Sequence, residues 1–365
     1  MENLTAKSVC EYLELINDVR DNVADLIREK RKCLKKTIEK QPDPIIRFNM
    51  EQFRKNLETV LTVQTNLSKA KSHANEKEAE YVRKNRCGFE YKMYYRGHES
   101  LSYDLIPSVL RSGRDATESY LYHKIISELP QEFPGHSHID NLVKMQHFGS
   151  DTRLLDITAN PLVALYFACL EKKDEAGIVY VFCVPDRSVK YCDSDKVTIL
   201  SSLAALSYDD IQLLVNLKSK INQELSNFGI STQHDILGKL NQTEYQRRIE
   251  KDSAYIKLFN EIRRENPAFE NRIKFNDLFD SLIVQPNKTN DRILKQDGAF
   301  ILSGLATNKE DIVRSNDKFV IYKIYIEDKS RILKELENIN ITRATMFPDV
   351  DNVASFFKHK YYEVE

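Results

Sequence analysis

The chain has no run of about eighteen apolar residues of the kind that spans a bilayer, and no basic-then-apolar leader follows Met1. We therefore expect no membrane partner and a cytoplasmic protein. Net charge is also lacking: 54 Lys and Arg against 55 Asp and Glu leave −1, which gives no whole-chain attraction to nucleic acid. Six cysteines (Cys10, Cys33, Cys87, Cys169, Cys183, Cys192) lie far apart without CxxC spacing, so buried free thiols are expected in place of a zinc site. His98, His123, His136, His138 and His147 have no ligand-like spacing with carboxylates or thiols, and no metal is expected. Nor is there a GxxxxGKS/T loop, a GxGxxG after a strand, a GxSxG elbow or an HExxH pair. The common nucleotide-hydrolase, dinucleotide-fold, serine-hydrolase and zincin classes are thus unsupported.

What the chain does have is 365 residues at 41% hydrophobic content, enough for one large core or two smaller ones. Residues from about Ala6 to Lys40 and from about Ile46 to Arg83 carry apolar positions at helical spacing, broken by QPDP at Gln41 to Pro44. This predicts a long helical hairpin as an N-terminal domain over 1–86. The basic run Arg28 to Lys36 reads as its solvated face. After Gly88, short β-branched and aromatic runs (FEYKMYYRG, GIVYVFCV, SLIVQP, GAFILS, KFVIYKIYI) predict strands, and 207–265 predicts a helical insert. Strands and helices mix without regular alternation, so an α+β domain is expected over 87–365.

Three segments carry more polar detail than packing requires. In YYRGHES, Arg96 stands near a strand end as a fork for phosphate or carboxylate, and Gly97 permits a turn or a ligand's approach. In KMQHFGSDTRLLDITANP, Gln146 and His147 end a helix, Gly149 turns, and 153–158 runs as a strand. Leu155 and Ile157 then share one face with Arg153, and Asp156 and Thr158 share the other with Leu154. Asn160 is placed as an N-cap and Pro161 as the first helical residue. In NDRILKQDGAFIL, Asp291, Arg292, Gln296 and Asp297 precede a strand, with a turn expected at Asp297 and Gly298.

Together, YRG at Tyr95 to Gly97, LIPSVLR at Leu105 to Arg111, Glu118, MQHFGSDTRLLDITANPLVALYFA from Met145, RILKQDGAF from Arg292 and TMFPDVDNVASFF from Thr345 resemble the FRG domain family over most of Tyr91 to Phe357. Tyr95 replaces the family's Phe, and Ile157 stands where a Trp is common. A second resemblance, to NAD-dependent ADP-ribosyltransferases of the Arg-Ser-Glu type, rests on YYRG and on LLDITANPLVALYFA. It has no Gln-x-Glu or Glu-x-Glu before GAFIL.

These resemblances imply an ADP-ribosyltransferase-like mixed or antiparallel β core with surrounding helices, and NAD as the cofactor. Arg96, Asp156, Thr158, Asp291 and Gln296 would then be catalytic, with Asp297 as another carboxylate near the third element. Tyr95, Arg96, Gly97, His147, Arg153 and Asn160 would hold the cofactor. The function implied is an effector that modifies a macromolecular target or hydrolyses NAD, in a bacterial toxin or anti-phage setting. The alternative is a non-catalytic module that binds nucleotide, nucleic acid or protein, with the hairpin giving homo-oligomer or partner contacts. A nuclease would need a metal cluster, which the sequence lacks.

Overall fold

The computed structural model describes residues 4–23, 91–111, 114–135, 137–171, 174–227, 243–288, 290–305 and 320–362. Most of the expected hairpin, with its basic run, lies outside them. Its described beginning belongs to the main body: Leu4–Ala6 (β1) joins the sheet, and a helix over 9–23 (α1) buries Tyr12, Ile16 and Val19 in the core. The Tyr12 hydroxyl donates to the Pro161 carbonyl at 3.0 Å.

Eight strands form one mixed sheet among the described residues. In chain order they are β1, Tyr91–His98 (β2), Leu154–Thr158 (β3), Gly177–Pro185 (β4), Lys190–Tyr191 (β5), Ser281–Gln285 (β6), Gly298–Ser303 (β7) and Val320–Ile326 (β8). The spatial order is β1-β8-β4-β2-β3-β7-β6-β5. The interior pairs are antiparallel, and the two edge pairs, β1 with β8 and β5 with β6, are parallel. The continuous apolar run GIVYVFCV becomes the central strand β4, buried on both faces.

Helices cover the sheet: Glu118–Glu128 (α2), His138–His147 (α3), Pro161–Cys169 (α4), Asp195–Ser201 (α5), Tyr208–Asn227 (α6), Thr243–Glu250 (α7), Ser253–Glu265 (α8), Asp291–Gln296 (α9), Lys329–Asn338 (α10), Arg343–Met346 (α11) and Val350–Tyr362 (α12). Helices α6, α7 and α8 fall within 207–265 and pack Leu214, Ile249 and Leu258 into a cluster shared with Leu142, Leu154 and Leu302. A second cluster joins α1, α4 and α10 to β2, β4 and β8 through Tyr12, Ala164, Val179 and Ile332. A third holds Tyr94, Leu155, Ile157, Phe182 and Ile301. Leu154 and Leu155 thus enter different clusters, as strand alternation requires. Cys169 and Cys183 are buried thiols that burial pushes up to about 12, whereas Cys10 is exposed. No described helix is long and apolar enough to cross a membrane.

One irregularity organises the sheet. β2 pairs with β4 along its whole length, and β3 pairs with β7 along its whole length, but β2 and β3 are bridged only at Tyr95 and Thr158. Past that bridge the two strands part. The facing edges of Arg96–His98 and of the first residues of β3 carry no ladder between them, and unpaired strand edges leave room and polar backbone for something else.

Candidate functional site

The opening between β2 and β3 is a cleft of about 340 Å³, within the range of small-molecule sites. β2 supplies Arg96 and His98, and β3 supplies Asp156 and Thr158. The end of α3 gives Gln146 and His147, α4 gives Val163 and Phe167, and α9 gives Arg292 and Gln296. Residues drawn from these elements therefore meet where the β2–β3 ladder is interrupted.

Arg96 spans the opening. Its Nη1 donates to the Asp156 carbonyl oxygen at 2.6 Å and stands 4.0 Å from the Asp156 carboxylate. Its Nε donates to His98 Nε2 at 2.8 Å, so the His98 proton sits on Nδ1. Burial lowers the Arg96 guanidinium from its usual range, with Asp156 opposing the shift and Arg111 adding to it. Burial, then the charges of Arg96 and Arg111, bring His98 down to about 3. It is a neutral acceptor at physiological pH, held edge-on by Tyr180 at 5.2 Å. Asp156 is the accessible member of the group, with 58% of its side chain exposed.

The opposite wall is built by the late segments. Gln296 Nε2 donates to the Met346 carbonyl at 2.9 Å. The Arg292 guanidinium lies 5.1 Å over the Phe347 ring, which meets Phe167 edge-on at 5.8 Å. The RILKQDGAF and TMFP segments are thereby clamped to each other and to α4. Thr158 ties the strand end to this wall: its hydroxyl donates to the Gln296 carbonyl at 2.5 Å and accepts from Asn160 N at 3.0 Å.

Tyr95, Arg96, Gly97, His147, Asp156, Thr158 and Gln296 all line the cleft, whereas Arg153, Asn160 and Asp291 have different places. Arg153 points away and forms a buried two-pronged pair with Glu118, with a third bond to the Ser303 carbonyl. It holds α2 and β7 to the start of β3, because a guanidinium that deep must be fully paired. Asn160 caps α4 by accepting from Leu162 N at 3.0 Å. Asp291 is exposed in the first turn of α9 and does not line the cleft, and Asp297 closes that helix with φ 44° while pairing with Lys288 at 3.1 Å. Tyr95, the bridging residue of β2, is buried at the cleft's inner edge.

Gly97 is required by packing. A Cβ there would lie 1.9 Å from the Ala164 carbonyl oxygen and 2.6 Å from the Ala168 nitrogen. α4 thus rests directly on the β2 backbone, the close approach that only glycine permits. Helix α4 is apolar nearly all round and correspondingly buried.

Sequence reasoning missed Arg111, His98 and Glu99 as lining residues. Arg111 belongs to LIPSVLR, but nothing local shows that this segment folds back beside β2. Its Nε and Nη2 both donate to the Ile106 carbonyl, at 3.3 and 3.1 Å. Among the described residues no group of three or more His, Cys, Asp or Glu side chains could hold a metal ion.

Residues 91–177 match the family model of the FRG domain, and the chain carries an FRG domain. The match runs from the first residue of β2 to the first of β4 and so includes the β2 and β3 edges of the cleft, α3 and α4. α9 and α11, which complete the opposite wall, lie beyond it. No curated protein and no solved structure matches the chain.

Proposed function

We propose that this FRG-domain protein is an ADP-ribosyltransferase-like effector that binds NAD in the β2–β3 cleft and uses it on a macromolecular target, or hydrolyses it. The reading is carried by the convergence of Arg96, Asp156 and His147 on the break between β2 and β3. An interrupted mixed sheet with an Arg on one edge and a polar strand-to-helix junction on the other also suits the fold that the resemblance implies.

The lining fits an anionic dinucleotide. Arg96, Arg111 and Arg292 outnumber the carboxylates of Asp156 and Glu99, and Phe167 offers an apolar face. When bound, NAD supplies a nicotinamide–ribose bond whose cleavage leaves positive charge on the sugar. Asp156, exposed and held 4.0 Å from Arg96, is the carboxylate placed to stabilise such charge. Arg96 anchors phosphate with the edge not used by His98 and Asp156. Thr158 and Gln296 keep β3 and α9 in register through backbone bonds; their role is positioning.

A second reading is favoured by one observation. Gln296, in the place where the transferases carry Glu, spends its amide on Met346, and Asp291 is outside the cleft. A site of that kind would bind nucleotide without turning it over. Nicotinamide release from NAD, measured with the wild-type chain, Arg96→Ala and Asp156→Asn, separates the two. Release lost in both variants supports the transferase reading. NAD binding without release, lost in Arg96→Ala, supports the binding module. No release and no binding at millimolar NAD contradicts both.

A further inference from the structure

The cleft holds a charge arrangement that the carboxylates present do not neutralise. Arg96 and Arg111 both line the cleft, and the charge of Arg111 reaches Arg96 and His98. Each arginine is fixed along one edge. Arg96 spends Nε on His98 and Nη1 on the Asp156 carbonyl, which leaves its Nη2 protons without an acceptor among the described residues. Arg111 spends Nε and Nη2 on the Ile106 carbonyl, which leaves Nη1 in the same condition. Beside Arg96 is the buried imidazole of His98, 4% exposed, which accepts from the Arg96 Nε.

The Arg96 guanidinium is lowered from its usual range by burial and has a second guanidinium of like charge in the same cleft, an arrangement that an anion bound there would stabilise. The Asp156 carboxylate faces solvent and stands at the limit of ion-pair distance from Arg96. We infer that Arg96, within the cleft beside His98, and Arg111, exposed at its mouth, form a phosphate-binding subsite whose ligand is the phosphate or pyrophosphate of a small nucleotide. A single carboxylate is filled by one guanidinium fork, whereas two forks from converging segments suit a group with three or more oxygens. The cleft volume of about 340 Å³ suits a small ligand. The fixed edges mean that the donors are already oriented before the ligand arrives.

This inference rests on reading the cleft as a nucleotide site and is independent of NAD turnover. The test is calorimetric titration of the full chain with inorganic pyrophosphate, ADP-ribose and adenosine, repeated with Arg111→Gln, Arg111→Lys and the distant exposed control Arg247→Gln. Pyrophosphate and ADP-ribose should bind the wild type and compete with each other, and adenosine should not displace pyrophosphate. Both Arg111 variants should weaken pyrophosphate by about tenfold or more, the size expected for losing a charged hydrogen bond, and Arg247→Gln should not.

Arg111→Lys keeps the charge and the stem, so its effect reads the fork geometry; comparison of melting temperatures separates lost binding from lost folding. Wild-type protein that ignores millimolar pyrophosphate, or Arg111→Lys that binds it at full strength, overturns the inference. An oligonucleotide that displaces pyrophosphate more readily than ADP-ribose does overturns the small-ligand assignment. Pyrophosphate binding with no NAD turnover leaves the subsite standing and removes the transferase reading. NAD binding untouched by Arg111→Lys does the reverse.

Discussion

Replacing Gly97 by Ala adds one methyl group where the structure has no space for it. The built Cβ falls 1.9 Å from the Ala164 carbonyl oxygen, whereas ordinary van der Waals contact begins near 3.4 Å, so α4 must retreat by about 1.5 Å. The obstructing atoms are backbone atoms of a buried helix, so no side chain can rotate away to relieve the contact. Over-packing of this kind costs about 1–3 kcal/mol, and a rigid neighbour puts it at the upper end. Because Val163 and Phe167 of the same helix line the cleft, the retreat should also weaken binding there.

The assay is chemical denaturation followed by circular dichroism, with Gly135→Ala beside it. Gly135 has nothing within 4 Å of its built Cβ and should change stability by no more than about 0.5 kcal/mol. Equal midpoints for Gly97→Ala and wild type would falsify the claim that this glycine exists for helix–strand contact.

Glu118→Ala strands the Arg153 guanidinium, whose side chain is 4% exposed, and should cost about 3–5 kcal/mol; the Glu118→Leu, Arg153→Met double variant should recover much of that in the same denaturation measurement. His98, neutral with a pKa near 3 when folded against 6.5 when unfolded, binds fewer protons in the native state between those values. Its contribution to stability should therefore fall as pH drops from about 6.5, by at most roughly 1.4 kcal/mol per unit, and stay level above; a His98 NMR signal that titrates between pH 5.5 and 7.5 (about one unit either side of the free-imidazole value) would contradict the assignment. Thr158→Val removes bonds to Gln296 and Asn160 and should lower stability by about 1–3 kcal/mol, with NAD affinity lost along with the α9 register.

The long apolar runs, the alternation in LLDIT and the Asn-Pro start of α4 were legible because strand period and capping are local properties. β1 and β5 were not, since three and two residues carry no pattern apart from the edges they join. At the site, Arg96, Asp156 and His147 could be singled out by polar type beside apolar runs. Arg153 has the same local signature, and its partner Glu118, 35 residues earlier, decides that it is structural. Gly97 shows the same limit: the sequence says that the backbone there is free, and only the packing of α4 says why. The break between β2 and β3 is a property of pairing between segments about 60 residues apart, so neither segment records it.

The measurement that bears most directly on the central claim is a crystal structure of the full chain grown with NAD at millimolar concentration. The account predicts ligand density in the opening between β2 and β3, with phosphate oxygens on Arg96 and Arg111 and the ribose beside Asp156. Density for NAD elsewhere on the molecule, with the cleft beside Arg96 empty, would contradict it.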